Sequence, residues 1–240
     1  MTERRFFVNG KIEQTVCLCD DEFNHLKNVL RLKQNDKVTL VCGDGWDYHA
    51  TIVEIGKKSA TLHVTNKTKN NNDPKLKITL FLGLVRNDSF SSIVTRMSEL
   101  GVSKIIPFDC DNTDTKPADV KIEKMQKVAN MAIKQCDMSI PTKIEPVCKF
   151  YEMLAKLKEY EDVFFAYESE KNNKEKFVAN KNNIAVIIGP IGGFSNREVE
   201  LLKNIPNCNV VSLGRRIMRV ETACASLVSV LMYTSGEWEI

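Results

Sequence analysis

Apolar and polar residues alternate with a period of two over Trp46 to Ile55 and again over Ser59 to Val64. That rhythm predicts half-buried β-strands. Shorter apolar runs at Arg5–Val8 and Lys37–Cys42 predict two more strands, the second followed by the turn Gly43-Asp-Gly45. In this first part only Asp21 to Leu30 has helical spacing, through Phe23, Leu26, Val29 and Leu30. Short strands with turn signals predict a small β-barrel or sandwich over residues 1–72. The polar, Asn-rich stretch from Asn66 to Pro74 has the composition of an interdomain linker.

After Pro74 the rhythm changes. Continuous apolar strands are predicted at Leu76–Val85, Lys104–Phe108, Asp162–Tyr167, Ile184–Ile188 and Asn209–Leu213. Helices are predicted between them: from Asp88 or Ser89 to Leu100 with Gly101 as the stop, Asp119–Cys136, Phe150–Tyr160 and Glu221–Thr234. Uniformly apolar strands alternating with helices predict a mostly parallel sheet covered on both faces, in a second domain over residues 73–240. Ligands of such α/β sheets bind at the C-terminal ends of the strands.

Composition narrows the classes. The 240 residues carry 34 Lys+Arg against 31 Asp+Glu, a net charge of +3, and are 43% hydrophobic and 27% charged. This excludes wholesale disorder and a strongly basic nucleic-acid coat, so any nucleic-acid site is a local patch. No run approaches the length of a membrane span, and the start lacks the apolar core of a signal peptide. The eight cysteines form no C-x-x-C pair, which argues against zinc and for reduced thiols in a cytoplasmic protein.

Two loops carry candidate chemistry. The strand ending at Ile188 runs into Gly189-Pro-Ile-Gly-Gly-Phe194, and Ser195-Asn-Arg-Glu198 then forms a capping box opening a helix. Adjacent glycines let backbone approach a ligand, or simply make a tight turn. This is neither a Walker loop nor G-x-G-x-x-G. The second loop, Val211-Ser-Leu-Gly-Arg-Arg-Ile-Met-Arg219, places three arginines within five residues around Ile217 and Met218. Apolar groups there suit an adenine while arginines face phosphates; the alternative is arginines paired with carboxylates such as Glu221.

Together with Glu99-Leu-Gly-Val102, the stretches Ile187–Ser195 and Leu213–Ala223 resemble the signature of the RsmE family, bacterial 16S rRNA uridine-N3 methyltransferases of the SPOUT superfamily. Arg4–Val8, His25–Arg31 and Asp44–Ala50 resemble that family's PUA-like barrel. The resemblance implies an α/β trefoil-knot domain that binds S-adenosyl-L-methionine, a knot being a rare exception to ordinary topology. It implies cofactor contacts at Leu82, Gly83, Tyr167, Glu168, Ile188, Gly189, Ile191, Gly192 and Gly193. Further contacts are implied at Ser212, Leu213, Gly214, Ile217, Met218, Thr222 and Ala223. It implies RNA contacts at Arg4, Arg5, His25, Arg31, Arg86, Arg215 and Arg216, and a homodimer acting on the small ribosomal subunit without a metal. Arg219 is the residue expected to stabilise the uridine anion.

The chain departs from the family at Ile191, where glutamate is usual, and at Ser89, Met138, Pro141 and the acidic run Asp109, Asp111 and Asp114. These departures keep open a second reading, a non-catalytic RNA- or ribosome-binding protein that retains the fold.

Overall fold

The computed structural model describes residues 4–168 and 178–238. They divide into two compact units, Met1–Asp73 with Asn130–Pro141, and Pro74–Ala129 with Thr142–Ile240.

The first unit is a curled five-stranded sheet in the order β1-β3-β4-β5-β2. Its strands are β1 (Arg4–Phe7), β2 (Thr15–Cys19), β3 (Lys37–Val41), β4 (Trp46–Ile55) and β5 (Ser59–Lys69). β1 lies parallel to β3 and the other pairs are antiparallel. The alternating positions Val38, Leu40, Ala50, Ile52, Ala60 and Leu62 turn inward onto Phe6 and Leu26, as the period of two requires. The single helical segment is an α-helix, α1 (Asp20–Asn24), that widens into a π-helical turn over His25–Val29. There Leu30 N–H reaches the His25 carbonyl five residues back.

Two expectations are corrected here. The Asn-rich stretch is only partly a linker, because β5 continues to Lys69 through paired backbone with Trp46 to His49. Residues 130–141 belong with the first unit instead of the second. Ile133 and Met138 of that segment are buried against Val41, Lys134 pairs with Glu22 at 2.7 Å, and Asp73 accepts from the Ser139 hydroxyl and backbone amide. Met138 is therefore a core residue of the first unit.

Arg5 is a second correction of role. Its side chain is 8% exposed and is gripped by the carboxylates of Asp47 and Asp137, while Asn70 donates to Asp47 and to the Asp137 carbonyl. It is a structural cation at the base of the barrel and is not free to meet phosphate. Burial alone would raise the Asp47 carboxyl, but the Arg5 and Asn70 hydrogen bonds outweigh it and hold the group below its ordinary value.

The second unit is a seven-stranded parallel sheet in the order β12-β10-β11-β6-β7-β8, with β9 also beside β7. The strands are β6 (Lys77–Gly83), β7 (Lys104–Asp109), β8 (Lys143–Ile144), β9 (Cys148–Lys149), β10 (Asp162–Ala166), β11 (Asn183–Ile188) and β12 (Cys208–Val211). The helices are α2 (Asn87–Glu99), α3 (Ile122–Gln135), α4 (Phe150–Lys156), α5 (Asn196–Lys203) and α6 (Val220–Thr234), with Asn130–Gln135 of α3 counted in the first unit. One face of the sheet packs on α2 and α6 through Ile93, Val94, Leu227 and Leu231. The other packs on α4 and α5 through Met153, Val199 and Leu202. The inner strands β6, β7, β10 and β11 are buried on both faces, which is why they read as largely apolar runs, whereas the edge strand β12 exposes Asn209. Gly101 stops α2 at φ +82, where a Cβ would strike Pro74.

Removing the Arg5 guanidinium leaves Asp47 buried without its counter-charge. Arg5→Ala is expected to cost about 3 kcal/mol of unfolding free energy in urea at neutral pH. Asp47 is depressed in the folded state, so its contribution is present at neutral pH and drains away as pH falls below about 4. Asp47→Asn should flatten the acid limb of a stability–pH profile below about pH 4. An acid limb as steep as that of the unaltered chain would contradict the assignment.

Candidate active site

The C-terminal ends of β10, β11 and β12 open onto one cavity of about 710 Å³, within the range of small-molecule sites. Its walls come from the segments that follow four adjacent parallel strands, Arg86 and Ser89 standing after β6. The order β12-β10-β11-β6 places these strand ends side by side.

The loop after β11 is shaped by its glycines. β6 and β11 run in register, Leu82 beside Ile188; Gly83 stays paired with Phe108 of β7 and lies against Gly189 and Pro190 as they leave the sheet. A Cβ on Gly83 would lie 2.3 Å from the Pro190 nitrogen, on Gly189 2.6 Å from the Phe194 ring, and on Gly192 2.5 Å from the Asn112 carbonyl oxygen. Each glycine marks a contact of backbone with backbone or ring that no side chain could share. Phe194 anchors the far end, stacked on Phe108 at 6.0 Å and edge-on to Phe165 at 5.1 Å.

The capping box at Ser195 forms as the sequence predicts, with the Glu198 amide donating to Ser195 Oγ and the Glu198 carboxylate accepting from the Ser195 amide. It also does more. Glu198 is 3% exposed and its other oxygen accepts from the Asp111 amide, while the Ser195 hydroxyl donates to the Asp111 carboxylate at 2.7 Å. Asp111, a departure from the family pattern, thus ties the loop after β7 to the start of α5.

The loop after β12 turns at Gly214, φ +102, and reaches Arg219, the N-cap residue of α6. Ile217 is 87% exposed and Met218 touches Ser226 through its sulfur. Among the described residues Arg215, Arg216 and Arg219 form no salt bridge within 4 Å. The carboxylate alternative weighed for these arginines therefore reduces to a longer-range effect on Glu221. That carboxyl is held below its ordinary value first by its own backbone amide and the Ser89 hydroxyl, with Arg219 and Arg96 adding to the effect.

Of the residues expected around a cofactor, Tyr167, Glu168, Ile188, Gly189, Ile191, Gly192, Gly193, Leu213, Gly214, Ile217, Met218 and Ala223 line this cavity. Arg219 lines it as well, together with Arg86 and Arg216, which were expected to face RNA. Four expected residues do not. Leu82 is in the core at 1% exposure, Gly83 stands behind Pro190, and neither Ser212 nor Thr222 reaches the wall. Ser212 instead accepts from the Gly214 amide through its hydroxyl. The sequence reading missed Ser89, Ala166, Pro190, Phe194, Val220 and Glu221. Glu221 had been named only as an ion-pair partner, and Ser89 only as a departure. The remaining RNA candidates lie elsewhere. Arg4 and Arg31 are exposed on the first unit and Arg215 is exposed beside the cavity loop. His25 is half-buried edge-on to Phe6 at 6.0 Å, and burial, then Lys134, pushes its imidazole toward the neutral form.

Residues 71–232 match the RNA methyltransferase domain family, and the chain belongs to it. Residues 18–65 match the RNA methyltransferase PUA domain. More particularly, the chain is similar to the ribosomal RNA small subunit methyltransferase E of Rickettsia conorii, 28% identical over 95% of both chains. Among solved structures it resembles the ribosomal RNA small subunit methyltransferase E of Neisseria gonorrhoeae bound to S-adenosyl methionine, with a TM-score of 0.86, 24% identity, and 99% and 100% of the two chains covered. It also resembles a methyltransferase of Legionella pneumophila in complex with the same cofactor, with a TM-score of 0.89, 24% identity, and 97% and 98% covered. The fold is thus that of the SPOUT class with a PUA-like N-terminal domain, as the motifs implied.

Because the atom facing Gly83 is backbone, a methyl group there cannot be absorbed by a rotamer change. Gly83→Ala is expected to destabilise the second unit by about 1–3 kcal/mol in urea unfolding and to displace residues 189–193. An unaltered midpoint would refute the reading of Gly83 as a packing requirement.

Proposed function

We propose that this chain transfers a methyl group from S-adenosyl-L-methionine to N3 of a uridine in the 16S rRNA of the small ribosomal subunit. The observation that carries the reading is the cavity at the ends of β10, β11 and β12, whose glycine and arginine loops lie within the stretch that matches the RNA methyltransferase family. The cavity fits the proposed cofactor by chemistry. Ile188, Leu213, Ile217, Met218 and Ala223 offer apolar surface for a nucleoside, glycine backbone offers close polar contact, and Glu168 offers a carboxylate for an ammonium group. When bound, the sulfonium supplies an electrophilic methyl that already carries its leaving group.

The protein's work is then positional and electrostatic. The loops exclude water and hold the attacking nitrogen in line. Uridine N3 attacks only after losing its imide proton, which leaves negative charge on the base. Arg219 is permanently cationic, exposed into the cavity, and held by the start of α6. It is the residue proposed to stabilise that charge. Glu221 stays ionised nearby and limits how strongly the arginine cluster attracts phosphate without a base to engage.

The active form is proposed to be a homodimer. From Thr222 to Thr234 α6 carries no charged residue, yet it exposes Val230 at 38% and Tyr233 at 55% beside a face buried in its own unit. Uncharged apolar surface on a helix calls for a partner. Ribosomal RNA as substrate places the reaction in the cytoplasm.

Mass spectrometry of small-subunit rRNA, made with and without this protein, tests the reaction. Loss of one N3-methyluridine is expected in its absence, and persistence of every methyluridine would overturn the proposal. In the same assay Arg219→Ala should lower turnover by roughly tenfold or more, with calorimetric affinity for S-adenosyl-L-methionine nearly unchanged. Absence of cofactor binding at millimolar concentration would instead favour a non-catalytic RNA-binding role. Tyr233→Asp is expected to convert a dimer into a monomer by light scattering, and a dimer that survives it would exclude α6 as the interface.

A further inference from the structure

The inward side of β4 carries Ala50 and Ile52 in the barrel core, and it runs on past that core. There it presents Trp46 and Tyr48, two residues apart and so on one face. Across the strand pair Trp46 faces Lys69 and Tyr48 faces Lys67. Directly opposed residues share a face, so two rings and two ammonium groups form one patch. The Lys67 ammonium lies 4.7 Å from the Trp46 ring centre and 5.9 Å from that of Tyr48. Both lysines are exposed and both rings are half-buried.

The patch is built to stay in place. The Tyr48 hydroxyl donates to Asp44 at 2.6 Å, and the Trp46 amide donates to the other oxygen of the same carboxylate. Asp44, just before β4, thus commits its carboxylate to the Tyr48 hydroxyl and the Trp46 amide. Asp47, on the opposite face, belongs to Arg5.

Beside the rings lies a shallow cleft of about 380 Å³ lined by Tyr48, Lys67, Glu13, Gln14, Thr65 and Asn66. The register shifts here, His49 facing Asn66 and Ala50 facing Val64, so that Thr65 bulges out of the ladder and its hydroxyl donates to the His49 carbonyl. A bulge frees a residue's backbone from its partner strand and re-aims its side chain. Polar edges beside an aromatic face are what an unstacked nucleobase requires: a π-surface to lie on and hydrogen-bonding groups for its rim.

We infer that Trp46, Tyr48, Lys67 and Lys69 form a stacking platform for an unpaired base of single-stranded RNA, with the two lysines holding the flanking phosphates. The inference rests on the reading of this chain as an RNA-modifying enzyme and adds to it the recognition mode: one splayed base, separate from the methylated one. None of the arginines singled out in the sequence belongs to this patch. The chain's modest net charge is consistent with it, since stacking holds RNA with few ionic contacts.

The chain has two tryptophans, so Trp238→Phe leaves Trp46 as the sole indole and its fluorescence reports on the platform. Titration with hexauridylate should quench that fluorescence saturably. The logarithm of the binding constant should fall with the logarithm of salt at a slope of about −1.4 for two phosphate contacts on a single strand. Lys67→Gln with Lys69→Gln should bring that slope close to zero. In methyl transfer to small-subunit RNA, Trp46→Leu should raise KM about tenfold, leaving kcat and methyl-donor affinity unchanged. Should Trp46→Leu fail to fold, the exposed lysine pair carries the test alone through the salt slope and KM. The inference is overturned by absence of quenching at millimolar oligonucleotide, by stronger quenching with duplex RNA of equal length, or by an unchanged KM in the lysine variant. If quenching is observed but no methyl is transferred, the platform stands and the proposed reaction falls.

Discussion

Two backbone segments pass each other at Gly83 and Pro190 with no room for a single carbon between them. The second unit depends on that passage. β6 and β11 are paired as far as Leu82 and Ile188; beyond them Gly83 stays in the sheet opposite Phe108 of β7, while the chain after Ile188 leaves it against Gly83. The absence of a Cβ at residue 83 permits that contact. The loop at 189–193 is thereby pushed outward and becomes the wall of the cavity. Gly189 and Gly192 repeat the device against Phe194 and Asn112. Three close approaches, two to backbone and one to the Phe194 ring, define the path of an irregular loop.

A rigid loop of this kind needs anchors on both sides, and they differ in chemistry. On the sheet side the anchor is apolar: Phe194 inserted between Phe108 and Phe165. On the helix side it is a polar cluster, Ser195, Glu198 and Asp111, in which a buried carboxylate serves two backbone amides from distant parts of the chain. Glu198 tolerates 3% exposure because its oxygens are hydrogen-bonded, as a buried charge must be. The opposite wall has no such bracing. Arg215 to Ile217 are exposed, and only from Arg219 onward does α6 fix the chain.

Much of this was legible in advance, for identifiable reasons. The parallel sheet announced itself because its inner strands are buried on both faces and are therefore mostly apolar, Thr79 of β6 being a polar residue among them. The capping box at Ser195 and the stop at Gly101 depend on local chemistry alone and formed where expected. What could not be read were matters of distance across the fold. Arg5 looks like any N-terminal arginine until Asp47 and Asp137 are found around it, from positions 42 and 132 residues away. Asn130–Gln135 continue the helical pattern of the start of α3, and nothing local assigns them or the residues up to Pro141 to the barrel. The extension of β5 to Lys69 was hidden because its outer residues pair through backbone while their side chains stay polar. Leu82 and Gly83 were drawn toward the cofactor by motif adjacency, whereas their work is one layer behind it.

The arginines show why a net charge of +3 says little by itself about RNA. Arg5 contributes a formal charge that two carboxylates cancel on the spot, so it adds nothing to the outer field. Arg219 contributes the same formal charge with no salt-bridge partner within 4 Å among the described residues. The sum over the chain treats the two as equal, though one is spent on holding a barrel together and the other faces a cavity. What a polyanion meets is the set of cations left over after internal pairing, and two groups stand out among them: Arg215, Arg216 and Arg219 on one loop, and Lys67 with Lys69 opposite Tyr48 and Trp46. Small groups of this kind bind diffuse phosphate weakly, because few counterions are released. They discriminate only when a folded RNA presents a base and a phosphate in matching positions, so near-neutrality overall is the condition under which shape, and not charge, selects the substrate.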